Sequence, residues 1–149
     1  KVPDAFNNTL GLAIGRKAYR DYRAMVASAR WQRAFNAGAR PQRLLFASTG
    51  TKDPKASDIL YVKGLVAPLT VNTLPEATLR AFADHGELGA MAPIDGGDAD
   101  AVLHQFQAAG IDLEALASKL QNDGAASFVK SWHELLGQLA DKSMAVRAG

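Results

Sequence analysis

The chain is 149 residues long, 48% apolar and carries a formal net charge of +2, the size and make-up of one globular domain. It has no cysteine, which excludes disulfides, thiolate zinc sites and thiol catalysis, and no apolar run long enough to span a bilayer or form a signal-peptide core. The charge is uneven: residues 1–63 hold twelve Lys and Arg against four Asp and Glu, whereas residues 64–149 hold five against eleven. A basic half attracts phosphate esters or nucleic acid, but the acidic half argues against a polyanion partner for the whole chain. The expected setting is cytoplasmic, with no membrane partner, no nucleic acid and no cofactor. His85, His104 and His133 fall in separate helical patterns, so no histidine metal site is expected. A first residue of lysine rather than methionine suggests a piece of something longer.

In chain order, residues 4 to about 28 read as a long helix with Asp4 as its cap. Leu10, Ile14, Ala18, Tyr22 and Met25 form an apolar stripe, and Arg16, Arg20 and Arg23 share another face. Residues 30–37 form a short helix, closed by Gly38, whose Trp31 and Phe35 are expected to pack on a core. The run 43–47 then reads as a strand buried on both faces, as in a parallel sheet covered by helices. It gives way within one residue to Ser48-Thr49-Gly50-Thr51-Lys52, and in parallel α/β folds ligands sit at that carboxyl end. Ser57 can cap a helix over 58–65, with Ile59, Leu60 and Val62 inward.

A second strand is predicted at 69–72. Thr73 and Glu76 after it have the spacing of a capping box that opens a helix running to Gly86. The loop 89–97 is followed by a helix at 98–108 with Val102, Leu103 and Phe106 inward. Asp112 caps another at 113–122, which Gly124 is expected to stop. A last helix over about 125–144 carries Phe128, Trp132, Leu135, Leu136 and Leu139. The fold class is therefore α/β: two consecutive βα units preceded by a long and a short helix and followed by three more. Two parallel strands leave two unpaired edges, so the pattern reads as the last part of an α/β barrel, with a boundary near residue 86 and a helical extension over 87–149 packing on it.

The residues alone leave the loop open to two readings. Ser48 and Lys52 are either an ordinary capped turn with a solvated lysine, or a hydroxyl, a flexible glycine and a cation suited to a phosphate dianion. Thr49 and Thr51 are weaker candidates, since such hydroxyls also cap loop backbone. Asn72 faces either a substrate or only the loop, and Thr73 and Glu76 are explained by the capping box.

The stretch Gly38-Ala39-Arg40-Pro41-Gln42-Arg43-Leu44-Leu45-Phe46-Ala47-Ser48-Thr49-Gly50-Thr51-Lys52-Asp53-Pro54 resembles transaldolase. So do Thr70-Val71-Asn72-Thr73-Leu74-Pro75-Glu76-Ala77-Thr78-Leu79, Gly110-Ile111-Asp112 and Gly124-Ala125-Ala126-Ser127-Phe128. The similarity is strongest to long bacterial transaldolases, including those fused to glucose-6-phosphate isomerase. The resemblance implies a partial TIM (β/α)8 barrel in which 43–47 and 69–72 are the seventh and eighth strands.

It further implies transfer of a dihydroxyacetone unit between sugar phosphates through a lysine Schiff base. Sedoheptulose 7-phosphate plus glyceraldehyde 3-phosphate would give erythrose 4-phosphate plus fructose 6-phosphate. The Schiff-base lysine belongs to the fourth strand and is expected upstream of Lys1, so this chain holds no catalytic residue and is expected to be inactive alone. Its implied partners are sugar phosphates, the remainder of the barrel upstream and, in fused relatives, an isomerase domain after Gly149. Shorter relatives end the seventh strand with Ser, one residue, then Arg-Asn-Pro, whose serine and arginine hold the substrate phosphate. Ser48 matches that serine, and Lys52-Asp53-Pro54 matches Arg-Asn-Pro after two extra residues. Lysine offers a point charge where arginine offers a fork. The rival readings are a non-catalytic helical module binding a polyanion through Arg16, Arg20 and Arg23, and part of another phosphate-binding barrel.

Overall fold

Side-chain bulk, or the lack of it, decides where the first helix sits. The computed structural model describes residues 3–148, which divide into a unit ending at Ala109 and another beginning at Gly110. In the first unit a 3₁₀ turn (Asp4–Phe6) leads into α1 (Thr9–Ala27) and α2 (Ala29–Asn36). Strand β1 (Leu44–Phe46), helix α3 (Leu60–Gly64), strand β2 (Thr70–Asn72), α4 (Glu76–His85) and α5 (Ala99–Ala108) follow.

Helix α1 lies against α3 through two reciprocal notches. A Cβ added at Gly15 would stand 2.5 Å from Leu65 Cδ2, and one added at Gly64 would stand 2.6 Å from Leu12 Cδ2. Each leucine thus fills the space that the opposite glycine leaves empty. Leu65 is buried, as are Ile59 and Val62 beside it, in agreement with the inward residues expected of that segment; Leu60 is half-buried.

The long first helix differs from expectation at its start. Asp4 caps nothing, because the chain kinks at Asn8, whose left-handed conformation (φ 64°) precedes α1; asparagine tolerates that region better than most residues. The buried face also differs. Ala13, Gly15 and Tyr19 are buried, while Ile14 and Met25 of the expected stripe are 47% and 54% exposed. The close crossing with α3 requires Gly15 at the contact, the buried face also takes in Ala13 and Tyr19, and Ile14, Ala18, Tyr22 and Met25 of the apolar stripe are left lining open clefts beside β1.

Helix α5 packs on α1 and buries Ala99, Leu103 and Phe106, with Val102 half-buried. Phe106 meets Phe6 at a ring separation of 4.9 Å. Arg16 reaches Asp98 at 2.6 Å, and Arg20 pairs with Asp100 and Asp21. Two of the three arginines proposed as a polyanion face are therefore neutralised within the fold. The compact unit thus extends past residue 86 to include α5.

Strands β1 and β2 run parallel, with Leu44 opposite Thr70, Leu45 opposite Val71 and Phe46 opposite Asn72, and they form a two-stranded sheet. Burial of β1 on both faces is not observed: Leu45 is 48% exposed and its neighbours are half-buried. One partner strand and a partial helical cover leave one edge and part of one face of β1 open. The second strand starts one residue late, because Leu69 takes a positive φ of 63° and faces solvent. Trp31 and Phe35 also depart from a core role. Phe35 is 50% exposed, and both line a cleft.

The second unit is one helix, α6 (Leu113–Ala148), 36 residues long. Asp112 caps it as expected, its Oδ1 accepting from the N–H groups of Glu114 and Ala115 at 3.0 Å. Gly124 does not stop it. A lone glycine costs a helix only about 1 kcal/mol, and this one lacks the left-handed φ that a terminating glycine takes. No helix among the described residues is long and apolar enough to cross a membrane.

Two predictions follow from this packing. Gly15→Val forces a branched side chain against buried Leu65 and should destabilise the first unit by about 1–3 kcal/mol, whereas Gly124→Ala, with open space around it, should make α6 more stable by about 1 kcal/mol. Thermal melts followed by circular dichroism distinguish the two. His85, the last residue of α4, reaches the turn before α3, its Nε2 lying 3.0 Å from Asp58, while its Nδ1 lies 3.2 Å from Asp84 of its own helix. The hydrogen bond to Asp58, and secondarily that to Asp84, raises its pKa above the ordinary value. A raised folded pKa means that the stabilisation is full below about pH 6.5 and disappears as pH rises through the folded pKa. Stability should fall across that window in the parent chain and stay flatter in His85→Gln, and in the parent chain the NMR titration midpoint of the His85 imidazole should be displaced upward.

Candidate functional site: the loop at the carboxyl end of the strands

The strand pair does not end cleanly at Phe46 and Asn72. Thr73 N–H donates to the Phe46 carbonyl at 2.9 Å, and Thr49 N–H donates to the Thr73 carbonyl at 3.2 Å, so the ladder continues into the loop. Side chains then take over. Ser48 N–H donates to Thr73 Oγ1 at 3.0 Å, and Thr49 Oγ1 donates to Asn72 Oδ1 at 2.6 Å with a longer bond of 3.3 Å to the Thr73 carbonyl. Ser48 is held in the left-handed region at φ 54°, a conformation that a non-glycine residue keeps only when its surroundings impose it.

This wiring corrects the capping box. Helix α4 begins at Glu76 behind an extended Pro75, with no side-chain cap. Thr73 lies too far before the first turn to reach its N–H groups, so its hydroxyl crosses to the neighbouring strand end instead. Glu76 pairs with Arg80 one turn along, at 3.0 Å and 2.6 Å. Sequence reasoning missed Thr73 as the link between the two strand ends, because a Thr-x-x-Glu spacing satisfies the cap pattern equally well.

The far end of the loop is tied to the start of α1. Asn8 Nδ2 donates to Asp53 Oδ2 at 2.7 Å, and Lys55 N–H donates to Asp53 Oδ1 at 2.9 Å. The Asn8 bond, then the Lys55 amide, hold the Asp53 carboxyl below its usual range. Between the two anchors, Gly50 passes so close to α4 that a Cβ there would stand 2.8 Å from Pro75 Cγ and 3.3 Å from Thr78 Oγ1. Asn8 and Thr78 carried no signal in the sequence beyond their polarity.

Of the expected site residues, Ser48, Thr49 and Asn72 come together around Thr73, with different duties. Thr49 is buried and its hydroxyl holds Asn72; both build the loop. Thr51 Oγ1 is buried without a hydrogen-bond partner. Ser48 and Lys52 are exposed, and among the described residues the Ser48 hydroxyl makes no hydrogen bond and Lys52 no ion pair. The Ser48 hydroxyl is thus presented at a cleft of ≈ 380 Å³ that runs along β1 beneath Ile14 and Ala18 of α1, and exposed Lys52 stands further along the same loop.

Comparison with known proteins gives a consistent picture. Residues 2–139 match the family model described as Transaldolase/Fructose-6-phosphate aldolase. The chain is similar to the transaldolase of Thermobifida fusca, at 45% identity over 139 residues that cover 93% of this chain and 38% of that protein. It is similar to the transaldolase of a Parafrankia species, at 43% over 140 residues, with the same coverage. The transaldolase of Neisseria meningitidis is 39% identical over 138 residues, which make up 39% of its length. The chain thus spans well under half the length of these curated relatives.

Thr49→Val keeps the shape of the side chain but removes its bond and leaves the side-chain oxygen of half-buried Asn72 without that donor. It should cost about 1–3 kcal/mol, read as a lowered melting temperature, while the exposed variant Ser48→Ala leaves stability within about 0.5 kcal/mol.

Proposed function

Since the chain belongs to the transaldolase/fructose-6-phosphate aldolase family, we propose that it is the carboxyl-terminal segment of a transaldolase and supplies the wall that holds the substrate phosphate. In this reading the whole enzyme passes a dihydroxyacetone unit between sugar phosphates through a Schiff base on a lysine upstream of Lys1. The segment alone is inactive, for want of that lysine. A cytoplasmic setting suits the substrates, which as dianions do not cross a bilayer unaided.

One observation carries the phosphate role: the free hydroxyl of Ser48 and the unpaired ammonium of Lys52 share a loop braced at both ends. Bracing matters because a flexible loop would lose much of its binding energy in becoming ordered. The ten-residue helix α4 adds to this, since its uncapped first turn lies against Gly50 and carries the positive end of the helix dipole. Lys52 would neutralise the dianion as a point charge, Ser48 would donate to one oxygen, and Thr49 and Asn72 would keep Ser48 in place. Thr51 is the weaker candidate, since its hydroxyl is unpartnered but buried and would have to turn outward to donate. Binding the phosphate at this end fixes how far the carbonyl at the other end of the sugar reaches, which is how a remote group contributes to positioning.

In the intact enzyme containing this segment, Lys52→Ala should raise the Michaelis constant for sugar phosphates at least about tenfold, an electrostatic loss of roughly 1.4 kcal/mol or more. Borohydride trapping of the Schiff base should persist at saturating substrate. Trapping abolished with affinity unchanged would instead make Lys52 the nucleophile and overturn the assignment.

A further inference from the structure

An ammonium that is to neutralise a phosphate competes for it with the carboxylates of its own chain. In this loop the nearest one in sequence is Asp53, which directly follows Lys52 and stands two residues before Lys55. Among the described residues neither lysine forms an ion pair with it. Neutral donors take the carboxylate instead. Its Oδ2 accepts from Asn8 Nδ2 at 2.7 Å, and its Oδ1 accepts from the Lys55 backbone N–H at 2.9 Å. Asp53 is half-buried, while Lys52 is exposed.

The donor is itself fixed. Asn8 sits in the left-handed region at φ 64°, just before α1. Behind it Thr9 Oγ1 donates to the Phe6 carbonyl at 2.8 Å, and Phe6 is seated on Phe106 of α5. The amide that holds Asp53 is therefore placed by the fold of the first unit and not by the loop. A tether alone does not require an acid: asparagine at position 53 would accept the same two bonds. Because position 53 carries a charge, the group that holds it also decides whether Lys52 meets a substrate unopposed.

We propose that Asn8 is a positioning residue for the phosphate site: by holding the Asp53 carboxylate it keeps that anion from pairing with Lys52 and from opposing the substrate phosphate. The proposal rests on the reading of Lys52 as the phosphate cation. Once released, the carboxylate has the adjacent ammonium as its nearest cation in sequence. Pairing with Lys52 would cancel the charge that attracts the dianion, and an unpaired carboxylate there would repel it. Either outcome weakens binding without touching the Schiff-base chemistry.

The test is steady-state kinetics with sugar phosphates on the intact enzyme containing this segment. In Asn8→Gly only the side-chain bond is lost, since glycine accepts the left-handed backbone without steric cost. KM should rise about fivefold, the scale of one competing charge near solvent, with kcat and borohydride trapping at saturating substrate unchanged. Asp53→Asn should not raise KM. Asn8→Gly/Asp53→Asn should return KM to the parent value, because the released group is no longer an anion. Where Asn8→Gly is unstable, Asn8→Asp gives the same reading. It also tolerates that backbone, repels the carboxylate instead of holding it, and should again be rescued by Asp53→Asn. A double variant as impaired as the single one would make Asn8 a plain tether and overturn the proposal. So would an unchanged KM in Asn8→Gly where Lys52→Ala raises it. If Lys52→Ala itself leaves KM unchanged, the phosphate reading fails and takes this one with it, so that variant tells the two failures apart.

Discussion

The reciprocal seating of Leu65 over Gly15 and Leu12 over Gly64 is the contact on which the first unit turns. A two-stranded parallel sheet has too little surface to orient a long helix by itself. The two notches do so instead, by letting α1 and α3 approach more closely than any larger side chains would permit. Once α1 is held there, Asn8 at its start comes within reach of Asp53, and Ile14 and Ala18 roof the cleft along β1. The geometry of the loop is thus a downstream consequence of helix packing some distance from it.

The loop shows how a polar segment can be rigid without being buried. Its amides and hydroxyls are tied to the second strand end at one side and to the start of α1 at the other. Individually such bonds contribute about 1 kcal/mol. Their effect here is to hold the loop at both ends while Ser48 Oγ and Lys52 Nζ stay exposed and unengaged among the described residues. Exposed groups left free on a tied loop are the ones available to a ligand.

What the sequence made legible follows this division between local and long-range causes. The two βα units, the helix at 99–108 and the Asp112 cap could be read because periodicity and capping act within a few residues. The breaks at Asn8 and Leu69 and the crossing of Thr73 to Ser48 could not, because each depends on a partner 25 or more residues away or on a backbone conformation with several permissible residues. Gly124 was misread for the opposite reason. Its local signal is real but small, and a 36-residue helix continues through a penalty of about 1 kcal/mol. Ser48 and Lys52 stood out as candidates because an abrupt change from apolar strand to polar loop is itself local.

Exposure of apolar surface connects these observations to what the chain is for. Leu45, Ile14 and Met25 lie open beside β1, and within its own unit α6 leaves Phe128, Trp132, Leu135, Leu136 and Leu139 uncovered. Helices of this kind draw most of their stability from burying such a face rather than from intrinsic propensity, and an open parallel edge is an invitation to another strand. In relatives more than twice as long, the sequence outside the matched region is the natural source of that cover.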